Sequence, residues 1–236
     1  MSDPNAKPLG HRSFGSIPHL PGSRMGPGEH TCHEGQARIA TVKVRDKYDR
    51  VFVSEKLDGS NLSVAKINSE IVPLGRAGYR AISSPFEQHH LFHDWAMQRE
   101  KVFAEALNEG DRMVGEWLAQ AHGTRYDLEG RSPWPVFDLM RGTEHGLTDT
   151  VMARAEWYGF ATPAILSVQP MSIDSALASL GTAGFYGALD EPEGAVWRVE
   201  RHGKVDFMAK FVKPGKVDGK YLDSVTSQEP VWNWQP

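Results

Sequence analysis

The segment RVFVSEKLDGSNLSVAKI, residues 50–67, decides what kind of domain this chain can form. Val51, Val53 and Glu55 fall on one side of an extended backbone and Phe52 and Ser54 on the other, because successive side chains in a strand alternate between faces. Leu62, Val64 and Ile67 anchor a second extended run. KLDGS lies between them, a tight connection carrying Gly59. The expectation is strand, turn, strand, and IVPLG at 71–75 adds a short third strand marked by its proline.

Downstream, 87–109 carries the strongest helical pattern, with Leu91, Trp95, Val102 and Ala106 near one stripe, Phe92, Phe103 and Leu107 widening it, and Gly110 as a stop. Residues 112–119 and 135–140 read as strands. Thr148 or Asp149 can cap a helix running to about Tyr158, and Ser172 a short helix ending before Gly181. Residues 195–200 and 205–212 read as strands joined across RHGK at 201–204. The tail, with Trp232 and Trp234, is expected to pack back irregularly.

Upstream, ARIATVKV at 37–44 reads as a first strand. Residues 1–40 read as a loop-rich extension, because HLPGSRMGPGEH at 19–30 alternates Gly and Pro too densely for a helix. This extension is either a disordered leader or an ordered wrap over the body. The remainder, 41–236, reads as one domain. Antiparallel hairpins with inserted helices lack a repeating strand–helix–strand rhythm, so the expected class is α+β.

Across 236 residues, 26 Lys and Arg stand against 30 Asp and Glu, a formal charge of -4. That excludes a strongly basic protein coating nucleic acid by bulk attraction, but leaves room for a local basic groove. No apolar run is long enough for a membrane span. MSDPNAKPLG lacks the basic flank and apolar stretch of a secretory signal, and the lone Cys32 fits a reducing compartment. Cytoplasmic location and no membrane partner are the expectations.

Lys56 is the first residue to carry chemistry. A lysine ending an apolar strand before a glycine turn can be held in a cleft, where desolvation or neighbouring cations make its amine a nucleophile. A surface hairpin turn explains the same string by itself. Elsewhere, Glu116 sits within the apolar string GEW (115–117) and Phe137 within VFD (136–138). Glu193 and Gly194 open EGAVWR (193–198), and Lys210 and Lys213 lie in FMAKFVK (207–213). Each has an easy structural account alone. His30, Cys32 and His33 lack the partnered spacing of a closed zinc site. GSRMGPG at 22–28, with Arg24, offers backbone donors to a phosphate but lacks the ending of a P-loop.

In this order the five strings resemble the covalent nucleotidyltransferases, the polynucleotide ligases and mRNA capping enzymes. EKLDGSN at 55–61 is most similar to the small ATP-dependent RNA ligase branch. The resemblance implies an antiparallel-sheet adenylation domain with inserted helices, ATP-grasp-like, using ATP as AMP donor with Mg²⁺ or Mn²⁺. Lys56 matches the residue that becomes linked to AMP. Glu55 matches the position whose backbone region contacts adenine, and Asn61 a polar residue supporting the phosphate site. Arg76 stands where the family has an arginine contacting AMP or the incoming 5′-phosphate. Glu116 matches the carboxylate on the ribose hydroxyls, Phe137 the aromatic on the purine, Glu193 the carboxylate that organises metal, and Lys210 a phosphate-contacting lysine. Met208 stands where many relatives have a further lysine, and Lys213 offers that charge at a different spacing. The partners implied are RNA ends or nicked duplex, possibly DNA, with room for a helper protein. A minimal DNA ligase and a non-catalytic nucleic-acid-binding protein on the same scaffold are the alternatives.

Overall fold

The computed structural model describes residues 6–227 and 229–236. The first five residues of the expected extension, and residue 228 of the expected tail, lie outside the described residues. The chain forms two compact units. One comprises Met1–Gly15, Ser60–Ala119 and Ser132–Thr162, the other Ser16–Gly59, Gln120–Arg131 and Pro163–Pro236.

The second unit is built on β1 (Asp49–Lys56), the strand expected from 50–56. It is flanked by β7 (Ile165–Ser167) and β8 (Gly194–Arg201), with β9 (Lys204–Val212) at the far edge, in the order β7-β1-β8-β9. All pairings between these strands are antiparallel. Val51, Val53, Ala195, Trp197, Val199, Ala209 and Phe211 point to one core. Helix α1 (Glu34–Thr41) and helix α5 (Ile173–Leu180), whose Ser172 hydroxyl accepts from Ser175 N as expected, pack on it. The strand expected at 37–44 is not formed. His33 Nδ1 accepts from Gly35 N at 3.0 Å and the Gln36 side chain accepts from His33 N at 3.2 Å, a capping box that starts a helix instead. Ala37 and Ala40, three apart, are its buried residues.

The Gly- and Pro-rich segment is an ordered wrap. Leu20 N donates to Lys210 O at 2.8 Å and Lys210 N to Pro18 O at 2.9 Å. Arg24 N donates to Val212 O at 3.0 Å and Val212 N to Ser23 Oγ at 2.9 Å, so four backbone groups on the β9 edge are satisfied. Leu20 and Cys32 enter the core. The tail returns onto 120–126: Ala121 N donates to Val231 O and Tyr126 N to Asn233 Oδ1, while Trp232 bridges Gln120. A short helix, α6 (Asp223–Thr226), interrupts it.

The first unit carries β2 (Ser60–Ile67), β3 (Glu70–Gly75), β4 (Asp111–Trp117), β5 (Val136–Arg141) and β6 (Glu144–His145), antiparallel in the order β3-β2-β4-β5-β6. The expected long helix is two: α2 (Glu87–Met97) and α3 (Glu100–Ala106). Arg99 explains the break. Its backbone leaves the helical region, and its guanidinium donates to Trp95 O at 2.9 Å and lies 4.3 Å from the Trp95 ring, closing the end of α2. Phe92, Trp95, Phe103, Trp117, Trp134 and Phe160 form an aromatic core, each pair contributing about 0.5–1.5 kcal/mol beyond its buried area. Helix α4 (Thr148–Trp157) starts from Leu147 with no side-chain cap; Thr148 and Asp149 sit inside its first turn. Among the described residues no helix is long and apolar enough to cross a membrane.

Candidate active site

β1 delivers Lys56 as its last residue, directly opposite Gly194 at the start of β8, which in turn faces Val212 on β9. Gly194 is demanded by that approach: at φ +158° an added Cβ would stand 1.9 Å from Phe211 O. Glu193, one residue earlier, places its carboxylate on the Lys56 ammonium, and both groups are largely out of solvent, 20% and 7% exposed. Lys213 N donates to Glu193 O at 2.9 Å, which ties the end of β9 to the same point.

The turn after Lys56 is held from outside. Asp58 N donates to the Tyr126 hydroxyl at 2.9 Å, and Asp58 Oδ2 accepts from Gly123 N at 3.1 Å and Thr124 Oγ1 at 3.0 Å. Burial holds the Tyr126 phenol well above its usual range, so it stays a hydroxyl. In the sequence Asp58 reads only as a turn residue. The neighbouring His122 is kept below the ordinary histidine range by burial, with Asp58 and Lys56 among the charges that act on it.

Glu55 occupies a different environment from that of a surface strand end. Its side chain is buried and accepts from Phe185 N at 3.1 Å, its own N donates to Ala164 O at 2.9 Å, and burial raises its carboxyl pKa. Lys210 lies two rows along the sheet from Lys56, in the row Ser54–Val196–Lys210. Its ammonium donates to Glu29 Oε1 at 2.5 Å, and Glu29 Oε2 is 3.1 Å from His19 Nε2. Burial alone would raise the Glu29 carboxyl, but hydrogen bonds from Lys210, Gly26 N and His19 bring it down to about 2. Lys213 Nζ pairs with Glu191 Oε1 at 2.8 Å. Met208 faces Arg198 across the β8–β9 pair.

The other predicted residues belong to the first unit. Asn61 on β2 is the direct cross-strand partner of Glu116 on β4, which puts the two side chains on one face. Phe137 sits at the irregularity in the β4–β5 pairing between Val114 and Gly115, where an extra residue re-aims the strand. Its ring meets Phe14 edge-on at 5.4 Å. Ser13, next to Phe14, hydrogen-bonds Ser63 Oγ and accepts from Arg112 Nε on the same face as Asn61 and Glu116. Arg76 follows β3, is exposed, and donates to Gly15 O at 2.9 Å. The string EKLDGSN thus spans the division: Glu55 to Gly59 lie in one unit, Ser60 and Asn61 in the other.

A divalent ion would find a single predicted carboxylate, Glu193. Among the described residues no group of three or more His, Cys, Asp and Glu gathers to hold a metal. That donor set fits a Mg²⁺ or Mn²⁺ arriving on nucleotide phosphates, which keeps water and takes one or two carboxylates, better than a resident protein cage. The His30, Cys32 and His33 cluster is accounted for otherwise: Cys32 is buried, its thiol pKa raised by burial, and His33 caps α1. Arg24, in the expected phosphate-facing loop, pairs with Asp218 at 2.6 Å.

Residues 49–212 match the model of the RNA ligase family. The chain belongs to the RNA ligase family. Its fold is that of the family's solved structures. An archaeal ATP-dependent RNA ligase superposes with a TM-score of 0.50 at 21% identity, covering 70% of this chain and 43% of that one. A Naegleria gruberi RNA ligase with PPi superposes with a TM-score of 0.50 at 16% identity, covering 77% of this chain and 53% of that one. The chain therefore spans about half the length of these relatives or less. No curated protein matches the sequence. Family membership agrees with the α+β class, the antiparallel sheets and the inserted helices expected of an adenylation domain.

Proposed function

We propose that the chain carries the adenylyltransferase chemistry of an ATP-dependent RNA ligase, with 41–236 as the catalytic region and 1–40 as its extension. The observation that carries the reading is Lys56 at the end of β1, opposite a glycine and ion-paired with the buried Glu193. It is the arrangement expected of a lysine held ready for transfer rather than one on a solvated hairpin. The same family's Naegleria gruberi structure holds pyrophosphate, the leaving group such a step releases.

In this reading Lys56 Nζ passes a proton to the Glu193 carboxylate in contact with it and attacks the α-phosphate of ATP. The N–P bond forms as the bond to pyrophosphate breaks. AMP then passes to the 5′-phosphate of an RNA end, and a 3′-hydroxyl displaces AMP to form the phosphodiester. Glu193 holds Lys56 in place beforehand, and positioning supplies much of the catalysis. Lys210 and Lys213 sit near the strand end to balance phosphate charge, and a bound Mg²⁺ or Mn²⁺ would neutralise charge developing on the transferred group. Glu116 and Asn61 are assigned to ribose and phosphate support, Phe137 to the purine face, Arg76 to AMP or the 5′-phosphate, and Glu55 to the adenine side through its backbone.

The test is direct. Incubated with Mg²⁺ and ATP labelled on the α-phosphate, the chain becomes labelled, and Lys56→Ala abolishes the label while keeping its fold by circular dichroism. Equal labelling of that variant would overturn the assignment. A panel of nicked duplexes with RNA or DNA on each side then reads the substrate. Sealing confined to DNA 3′-hydroxyl strands would replace RNA ligase by DNA ligase.

A further inference from the structure

After β9 the chain reads KPGKVDGK, 213–220. The Pro-Gly pair makes a tight turn, in which Lys216 N donates to Lys213 O at 3.1 Å. The turn carries Lys216 inward, to 8% exposure. Its ammonium donates to Gly123 O at 3.2 Å and to Thr124 Oγ1 at 2.6 Å, and the Thr124 hydroxyl donates to Asp58 Oδ2 at 3.0 Å. Lys216 is thus two hydrogen bonds from the turn that follows Lys56. The packing is close: a Cβ on Gly123 would stand 2.7 Å from Val217 O and 2.8 Å from Asp58 Oδ2.

The charge balance here is unusual. Lys56, Lys210 and Lys213 each have a carboxylate in contact: Glu193, Glu29 and Glu191. Lys216 is the most deeply buried of the four, yet among the described residues no carboxylate comes within ion-pair distance of it. Both its acceptors are neutral. Burying an ammonium without a counter-ion is costly, and here burial pulls its pKa below the ordinary lysine range, with Asp58 and Glu193 acting on it only at a distance. An ammonium has three protons and two are engaged. A protein that handles a polyanionic substrate has an obvious use for such a group: the counter-ion arrives with the ligand. Lys216 also lies beyond the residues that match the family, 49–212.

We propose that Lys216 is a phosphate-binding residue of the nucleotide site, supplying to the polyphosphate of ATP the positive charge that Met208 does not. The inference rests on the adenylyltransferase reading for its ligand. Thr124 and Gly123 O orient the ammonium, and Asp58 couples that orientation to the turn bearing Lys56.

The test uses the full chain and two variants. Lys216→Gln keeps donors for Gly123 O and Thr124 Oγ1 while deleting the charge, and Lys216→Arg restores it. Calorimetric titration with magnesium pyrophosphate, and separately with adenosine, reads the phosphate and nucleoside parts of the site. The expected result is pyrophosphate affinity weaker by roughly 10- to 100-fold in Lys216→Gln, adenosine affinity unchanged, and substantial recovery in Lys216→Arg. Unchanged pyrophosphate affinity in Lys216→Gln overturns the proposal. So does an equal loss for adenosine, which would mark a structural role. Should Lys216→Gln fail to fold, the wild type decides alone: a chain that forms its AMP adduct yet binds no pyrophosphate overturns the proposal. Absence of the adduct in the wild type instead overturns the adenylyltransferase reading, and the pyrophosphate titration still tests Lys216.

Discussion

Gly194 shows how one atom can govern a site. Lys56 and Glu193 meet because β8 begins at a residue with no side chain, pressed against Phe211 O. Gly194→Ala is expected to force the β8–β9 pairing apart at that point, lowering stability by about 2–3 kcal/mol in urea titration. AMP-adduct formation should fall by more than the unfolded fraction explains, because Lys56 lies opposite. An alanine variant as stable and as reactive as wild type would show that the close approach does not exist. The site was legible only in pieces. Lys56 stood out from its strand and turn, but nothing in the spacing of residues 56 and 193 announces an ion pair. Only the resemblance joined them. Asp58 is in plain view inside KLDGS and reads as turn chemistry, although its carboxylate receives two donors from 123–124. Lys216 had no signal at all: a lysine in a Pro-Gly turn looks solvated, and its burial is set by a segment ninety-odd residues earlier.

At the level of elements, the N-terminal wrap is the part that pattern reading left open. Leu20 is 1% exposed and packs in the core with Trp197 and Phe211. Leu20→Ala should therefore cost about 2–5 kcal/mol, the usual loss for a buried leucine, measured by thermal or urea unfolding. A disordered leader would give no change, and that result would detach the segment from β9. The strands β1, β2, β8 and β9 were readable as short apolar, β-branched runs bounded by turn residues, although β2 and β8 bury both faces over much of their length and so do not alternate cleanly. What misled was local. ARIATVKV alternates like a strand, yet a capping box just before it and the Ala37–Ala40 spacing make its first half helical. The long helix of 87–109 was right in face and wrong in continuity, because the Arg99 guanidinium prefers the Trp95 carbonyl and ring to continued helix. Sheet order was not readable, since β1 pairs with strands more than a hundred residues away.

For the whole molecule, the distribution of perturbed acids and histidines predicts how stability depends on pH. Asp49 is buried, which alone would raise its pKa, but hydrogen bonds from Arg45 and Arg201 hold it well below the usual carboxylate range. Burial likewise opposes Asp190, yet Arg125 and Tyr221 bring it down to about 2, and Glu29 also stands at about 2. The unfolded chain protonates these groups near their ordinary values, 3.8 for Asp and 4.5 for Glu, while the folded chain resists. Their stabilisation is therefore complete above those values and drains away as pH falls toward about 2. His19, His93 and His122 act at higher pH with the same sign. Burial lowers all three from 6.5, so the unfolded state takes up protons first, and stability begins to decline as pH drops through that value. Glu55, raised by burial, acts with the opposite sign but is one group against the three histidines and three acids, so the urea midpoint should be lower at pH 5 than at pH 7.5, and lower again at pH 3, with net protons taken up on unfolding in both intervals. Glu29→Gln removes one contributor to the lower interval, so its profile should run closer to wild type at pH 3 than at pH 7.5. Equal wild-type midpoints at pH 7.5 and pH 3 would mean that these carboxylates are not paired in the folded chain as Arg45, Arg125, Arg201 and Lys210 require.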